Sequence, residues 1–162
     1  MNSQATSEKL IVHTSSPAET RLWAAHLATY LQAGDFVVLC GPLGAGKTCF
    51  VQGLGAGLGI EGCVTSPTFV IIRYHPGPLP LCHADAYRIN SAEELEEAGL
   101  LEYLSNSVVA LEWAEQVPEV WPEHYFLVRL NFANEGRRLE LSGRGPRPSQ
   151  VVSELADAHS GN

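Results

Sequence analysis

The segment Gly41-Pro42-Leu43-Gly44-Ala45-Gly46-Lys47-Thr48 restricts the fold of this chain more than any other stretch. It satisfies G-x-x-x-x-G-K-[ST] at every fixed position. Its glycines and small Ala45 leave the backbone bare, so N–H groups can close around an anion. Such a loop belongs between a buried strand and a helix, and both flank it here. Phe36–Cys40 (FVVLC) is a continuous apolar run with β-branched residues, suited to a strand covered on both faces. A helical pattern follows to about Leu58. Its N-terminus adds unpaired N–H groups and the positive end of a dipole. Lys47 would set a point charge between β- and γ-phosphates, and Thr48 would offer a hydroxyl to Mg²⁺. The chain has only two lysines, Lys9 and Lys47, against eight arginines, so lysine at this position departs from its ordinary usage. The expected ligand is ATP or ADP with magnesium, cradled by Gly41, Leu43, Gly44, Ala45, Gly46, Lys47 and Thr48.

The other segments suggest an α/β protein. Leu10–His13 suits a short first strand. Ser16-Pro17-Ala18-Glu19 opens a helix to about Gln32, with Ser at the N-cap, Pro at N1 and Glu at N3. Thr68–Tyr74 and Leu79–Ala84 flank a His-Pro-Gly-Pro turn and read as a hairpin. Ser91-Ala92-Glu93-Glu94 opens an acidic helix to about Ala98. Val108–Leu111 is a further buried strand, running into Glu112-Trp113. Tyr125–Phe132 and Arg137–Leu141 flank Asn134-Glu135-Gly136 as a second hairpin. The predicted architecture is three-layered, with a mixed, mainly parallel central sheet and hairpin additions. Residues 1–142 would form this domain. Residues 143–162, rich in Pro and Gly at their start, read as a poorly ordered tail with at most a short loose helix at Ser149–Ala158.

Composition narrows the function classes. Lys and Arg total 10 against 18 Asp and Glu, a net charge of −8. A surface this acidic repels a phosphate backbone, which disfavours direct tRNA or DNA binding. None of the four cysteines, Cys40, Cys49, Cys63 and Cys82, forms a CxxC pair, and reduced thiols are expected. The polar start MNSQATSEKL lacks an apolar signal region, and no apolar stretch is long enough for a bilayer. The expected setting is cytoplasmic, without membrane contact.

A phosphate loop works with a carboxylate at the end of a neighbouring buried strand. Glu112 follows Val-Val-Ala-Leu directly, and Asp85 follows Leu-Cys-His-Ala. His83 and Asp85 share a strand face and could pair on a metal, although no third ligand has matching spacing, which favours a polar strand end.

Taken together, GPLGAGKT, Ser66-Pro67-Thr68-Phe69, His83-Ala84-Asp85-Ala86-Tyr87-Arg88 and Leu111-Glu112-Trp113 resemble, in order and spacing, the bacterial TsaE (YjeE-type) ATPases. The resemblance covers about residues 10–142. It implies a small P-loop NTPase-like α/β domain that hydrolyses ATP slowly and supports threonylcarbamoyl transfer to a tRNA adenosine next to the anticodon. The implied partners are TsaD and TsaB, with tRNA met only indirectly. Residue by residue, Lys47 and the loop amides would hold phosphates, and Thr48 and Glu112 the magnesium. Ser66 and Thr68 resemble a switch segment near the γ-phosphate. Asp85 resembles an active-site aspartate that positions water, so Lys47, Asp85 and Glu112 form the expected catalytic set. Trp113 would lie beside the nucleotide, and Arg137 or Arg138 would face the phosphates. Pro42 stands where the family usually has Asp, and Ala86 where it has an apolar Leu. The rival reading is a P-loop small-molecule kinase. Such an enzyme usually closes an Arg-rich lid over ATP, whereas Ser91–Glu102 is acidic and lacks arginine.

Overall fold

The computed structural model describes residues 8–62, 64–65 and 71–161. The strands are β1 (Leu10–Thr14), β2 (Phe36–Cys40), β3 (Ile72–His75), β4 (Leu81–Asp85), β5 (Val108–Glu112), β6 (Tyr125–Ala133) and β7 (Gly136–Arg144). The helices are α1 (Pro17–Ala28), α2 (Lys47–Gly57), α3 (Ala92–Glu97) and α4 (Pro146–Ser160), with short 3-10 turns around β5.

All seven strands form one sheet in the order β1-β7-β6-β2-β5-β4-β3. The four central strands β6, β2, β5 and β4 run parallel. Antiparallel partners flank them: β3 pairs with β4 on one side, and β7 with β6 and then β1 on the other. Both expected hairpins are present. The part of the first one at residues 66–70 lies outside the described residues, and so do Ser66 and Thr68.

Alternation along β2 divides the core. Val37 and Leu39 face α1, α2 and α4, while Phe36, Val38 and Cys40 face α3 and the 3-10 turns. Every residue of β2 and β5 is buried, which is why neither shows polar alternation in sequence. Helix α1 buries Thr20, Ala24, Leu27 and Ala28, one stripe at helical spacing. Ser16 Oγ accepts from the Glu19 N–H, and the Glu19 carboxylate reaches back to Ser15 rather than to Ser16. Helix α1 ends at Ala28, about a turn earlier than its sequence suggests.

Residues 146–160 depart most from expectation. They form α4, which packs on β7 with Pro148, Val151, Val152, Leu155 and Ala156 buried. Pro146 and Pro148 fall in the first turn, where the missing N–H groups would have had no partner. Arg147 then ties α4 to the turn after α1, donating to Asp35 Oδ1 at 2.5 Å and Tyr30 O at 2.6 Å. The segment read as a loose tail is thus a structural helix of the same domain.

Candidate functional site

The loop between β2 and α2 sits at the C-terminal end of the parallel strands. Gly41 leaves β2 at φ 151°, and a Cβ there would lie 2.3 Å from the Leu130 carbonyl oxygen on β6. Only glycine lets the loop start this close to the sheet. Gly46, at φ 107°, begins α2 with no capping side chain, and the first turn carries no acid. The helix therefore presents uncapped N–H groups toward the loop cavity, the arrangement that receives phosphate.

Lys47 is 5% exposed. Its Nζ donates to Gly41 O at 2.5 Å and Pro42 O at 2.9 Å, and it lies 3.9 Å from the centre of the Trp113 ring. Burial pulls its pKa below the ordinary lysine value, while Glu115, Glu112 and Asp85 pull the other way. Three carboxylates thus help keep a desolvated ammonium charged.

Register places the acids. Glu112 ends β5 between Leu39 of β2 and Asp85 of β4. It is 2% exposed. Thr48 Oγ1 donates to Glu112 Oε1 at 2.9 Å, and His83 Nε2 lies 2.5 Å from Glu112 Oε2. Asp85 Oδ1 accepts the Tyr87 N–H at 2.8 Å. Burial, with the Glu112 charge added, holds the Asp85 carboxyl above its usual range despite that hydrogen bond. Trp113 takes a left-handed conformation at φ 56° and its ring lies tilted against Tyr87, with ring centres 4.9 Å apart.

The residues offer oxygen donors suited to magnesium. Among the described residues, no group of three or more His, Cys, Asp or Glu side chains could hold a metal ion alone. A hydroxyl and one carboxylate at a phosphate loop match Mg²⁺, which takes few protein ligands and completes its shell with phosphate oxygens and water. Thr48 and Glu112 would be those ligands.

The other expected residues fall as follows. The backbones of Leu43 and Ala45 form the loop, and the Leu43 side chain is 72% exposed. Arg137 reaches the loop, donating to Gly44 O at 3.2 Å and to Gly136 O at 3.0 Å. Arg138 instead bonds Glu140 at 3.1 Å, away from the loop.

Two features escaped sequence reasoning. The left-handed turn at Trp113 swings Glu115 under the loop, where its Oε2 accepts the Gly41 N–H at 3.0 Å. A cleft of about 300 Å³ opens beside the loop, lined by Thr14–Pro17, Gly44–Gly46, Cys49 and Glu135–Arg137. Its walls come from β1, α1 and the β6–β7 turn, which meet only through long-range pairing, so no local pattern could reveal it.

Sequence and fold comparisons show which known proteins this chain is similar to. The family model for threonylcarbamoyl adenosine biosynthesis protein TsaE matches residues 14–139. The tRNA threonylcarbamoyladenosine biosynthesis protein TsaE of Streptomyces coelicolor is 47% identical over 141 residues, covering 80% of this chain and 95% of its own. Its namesake from Bacillus subtilis is 39% identical, over 88% of this chain and 91% of its own. The crystal structure of Bacillus subtilis YdiB superimposes with a TM-score of 0.75 at 30% identity, covering 94% of this chain and 97% of that one. The chain belongs to the TsaE family of tRNA threonylcarbamoyladenosine biosynthesis proteins.

Proposed function

We propose that this protein is a magnesium-dependent ATPase that binds ATP and ADP and supports threonylcarbamoyl transfer to a tRNA adenosine together with TsaD and TsaB. The observation that carries the reading is the hydrogen bond from Thr48 to Glu112 at 2.9 Å, directly beneath a loop with uncapped helical N–H groups and a buried lysine. Phosphates would lie along the loop amides and draw Lys47 off the Gly41 and Pro42 carbonyls. The nucleoside would extend into the cleft beside Thr14–Pro17. When bound, Mg²⁺ would offset charge on the β- and γ-phosphate oxygens. Asp85, a half-buried carboxylate with a raised pKa, is suited to orient water and take its proton. Arg137, like Lys47, donates to carbonyls of the chain itself, so both cations would have to leave those carbonyls to meet the γ-phosphate. That resting arrangement supports slow turnover alone and completion of the site by a partner. The net charge of −8 fits a cytoplasmic protein that meets tRNA only through its partners.

Isothermal titration of Lys47→Ala with ATP tests the reading. Loss of a buried, hydrogen-bonded charge should weaken binding roughly 100-fold. Wild-type affinity in the variant would overturn the phosphate-loop assignment.

A further inference from the structure

His83 is fully buried, yet neither the loop nor Asp85 accounts for it. It occupies the middle of β4, alternating with Leu81 and Asp85 on the face toward α2. On β5 the same face carries Val108, Ala110 and Glu112. Ala110 is the register partner of His83, and its small side chain leaves room for the imidazole. The ring reaches diagonally to Glu112, with Nε2 2.5 Å from Oε2. Its Nδ1 has no partner among the described residues. An apolar side chain of similar size would fill this space without leaving a polar atom unpaired. What the imidazole supplies in exchange is one aimed donor on a buried carboxylate.

The two oxygens of Glu112 are thereby distinguished. Oε2 faces His83, and Oε1 receives the Thr48 hydroxyl hydrogen. With its hydrogen directed at Glu112, the Thr48 oxygen turns its lone pairs elsewhere. That orientation lets one hydroxyl bind a cation and donate to a carboxylate at once. Glu112 can hold it only while its own plane is fixed. Among the described residues, His83 is the side chain that contacts Oε2.

We propose that His83 is a positioning residue: through Nε2–H···Oε2 it fixes the Glu112 carboxylate so that Thr48 and Glu112 present a preset oxygen pair to magnesium. This inference rests on the nucleotide–magnesium reading above. It assigns His83 no contact with nucleotide or metal. Its effect passes through Glu112, as outer partners of metal ligands commonly act.

The experiment is isothermal titration of ADP into wild type and His83→Phe, His83→Gln and His83→Asn, in EDTA and across a magnesium series, with thermal melts to establish folding. His83→Phe removes the donor and should raise the magnesium concentration needed for tight ADP binding about 10- to 100-fold. Its affinity for ADP in EDTA should stay at the wild-type value. Gln places an amide nitrogen near the position of Nε2 and should restore most of the magnesium response. Asn is one carbon shorter and should not. If the Phe variant does not fold, the contrast between Gln and Asn carries the test. An unchanged magnesium requirement, an equal loss of affinity in EDTA, or indistinguishable Gln and Asn variants would each overturn the proposal. Wild-type ADP binding that ignores magnesium would instead sink the underlying reading.

Discussion

Replacing Gly53 by alanine tests how closely α1 and α2 are joined, and thereby how firmly the loop is held. Gly53 and Gly57 lie one turn apart on α2 and face α1. A Cβ at Gly53 would stand 2.3 Å from the Arg21 carbonyl oxygen, 2.7 Å from Ala24 Cβ and 2.7 Å from Arg21 Cα. Ordinary contact begins at 3.4 Å, so α1 must retreat by about 1 Å. The nearest obstacle is backbone and cannot rotate aside. Overpacking of this kind costs ~1–3 kcal/mol, and with backbone in the way the upper half applies. Alanine in a helix interior returns about 1 kcal/mol relative to glycine. The net loss is therefore ~1–2 kcal/mol, or a fall in Tm of ~2–8 °C for a domain of this size. Circular dichroism melts of the two proteins measure it. The sign is diagnostic, because the same substitution in an unobstructed helix would stabilise. Adding Ala24→Gly should relieve only the side-chain clash and leave most of the loss, since the Arg21 carbonyl remains. A Tm at or above wild type would refute the close α1–α2 seam.

Two further outcomes follow from the packing and the thiols. Val152→Asp places an unpaired charge at a fully buried point of α4 and should cost ~3 kcal/mol or more in urea unfolding, where a loose tail would show no change. Burial pushes the thiols of Cys40, with the Glu115 charge adding, and of Cys82 up to about 12. Both should stay protonated and unlabelled by N-ethylmaleimide at neutral pH, while Cys49 in the cleft is labelled and ADP slows its labelling; peptide mass mapping reads the order, and Cys40 reacting first would contradict it.

What the sequence made legible was local chemistry. The phosphate loop, the buried runs of β2 and β5, both hairpins and the helix starts at Ser16 and Ser91 each carry their signal within a few residues. Glu112 could be named because it directly follows an apolar run, and Asp85 because it follows the strand-like Leu-Cys-His-Ala. Their adjacency could not, since it depends on the register of β4 against β5. The same applies to His83, whose alternation with Asp85 was visible while its reach to Glu112 was not. Helix α4 was obscured differently. Its apolar stripe, Val151, Val152, Leu155 and Ala156, stood in plain sequence, but Gly143, Gly145 and two prolines suggested disorder. Proline in a first helical turn and a glycine approached closely by Pro148 carry the opposite meaning once β7 is in place. Arg147, one of several arginines by composition, gains its role from Asp35 and the Tyr30 carbonyl, 112 and 117 positions away.

The pairing of β1 with β7 also orders events during synthesis. Edge strand β1 is made 123 to 131 positions before its partner residues, Arg137–Leu141. Translation proceeds at about 5–20 residues per second, so β1 waits about 6–26 s before it can dock. Through most of that interval β2, the phosphate loop, β4 and β5 can assemble, yet β6 is still to be made and the wall formed by Thr14–Pro17 and Gly136–Arg137 cannot close. On the nucleotide reading proposed above, a nascent chain should therefore gain its anion cradle before the cleft that would enclose a nucleoside.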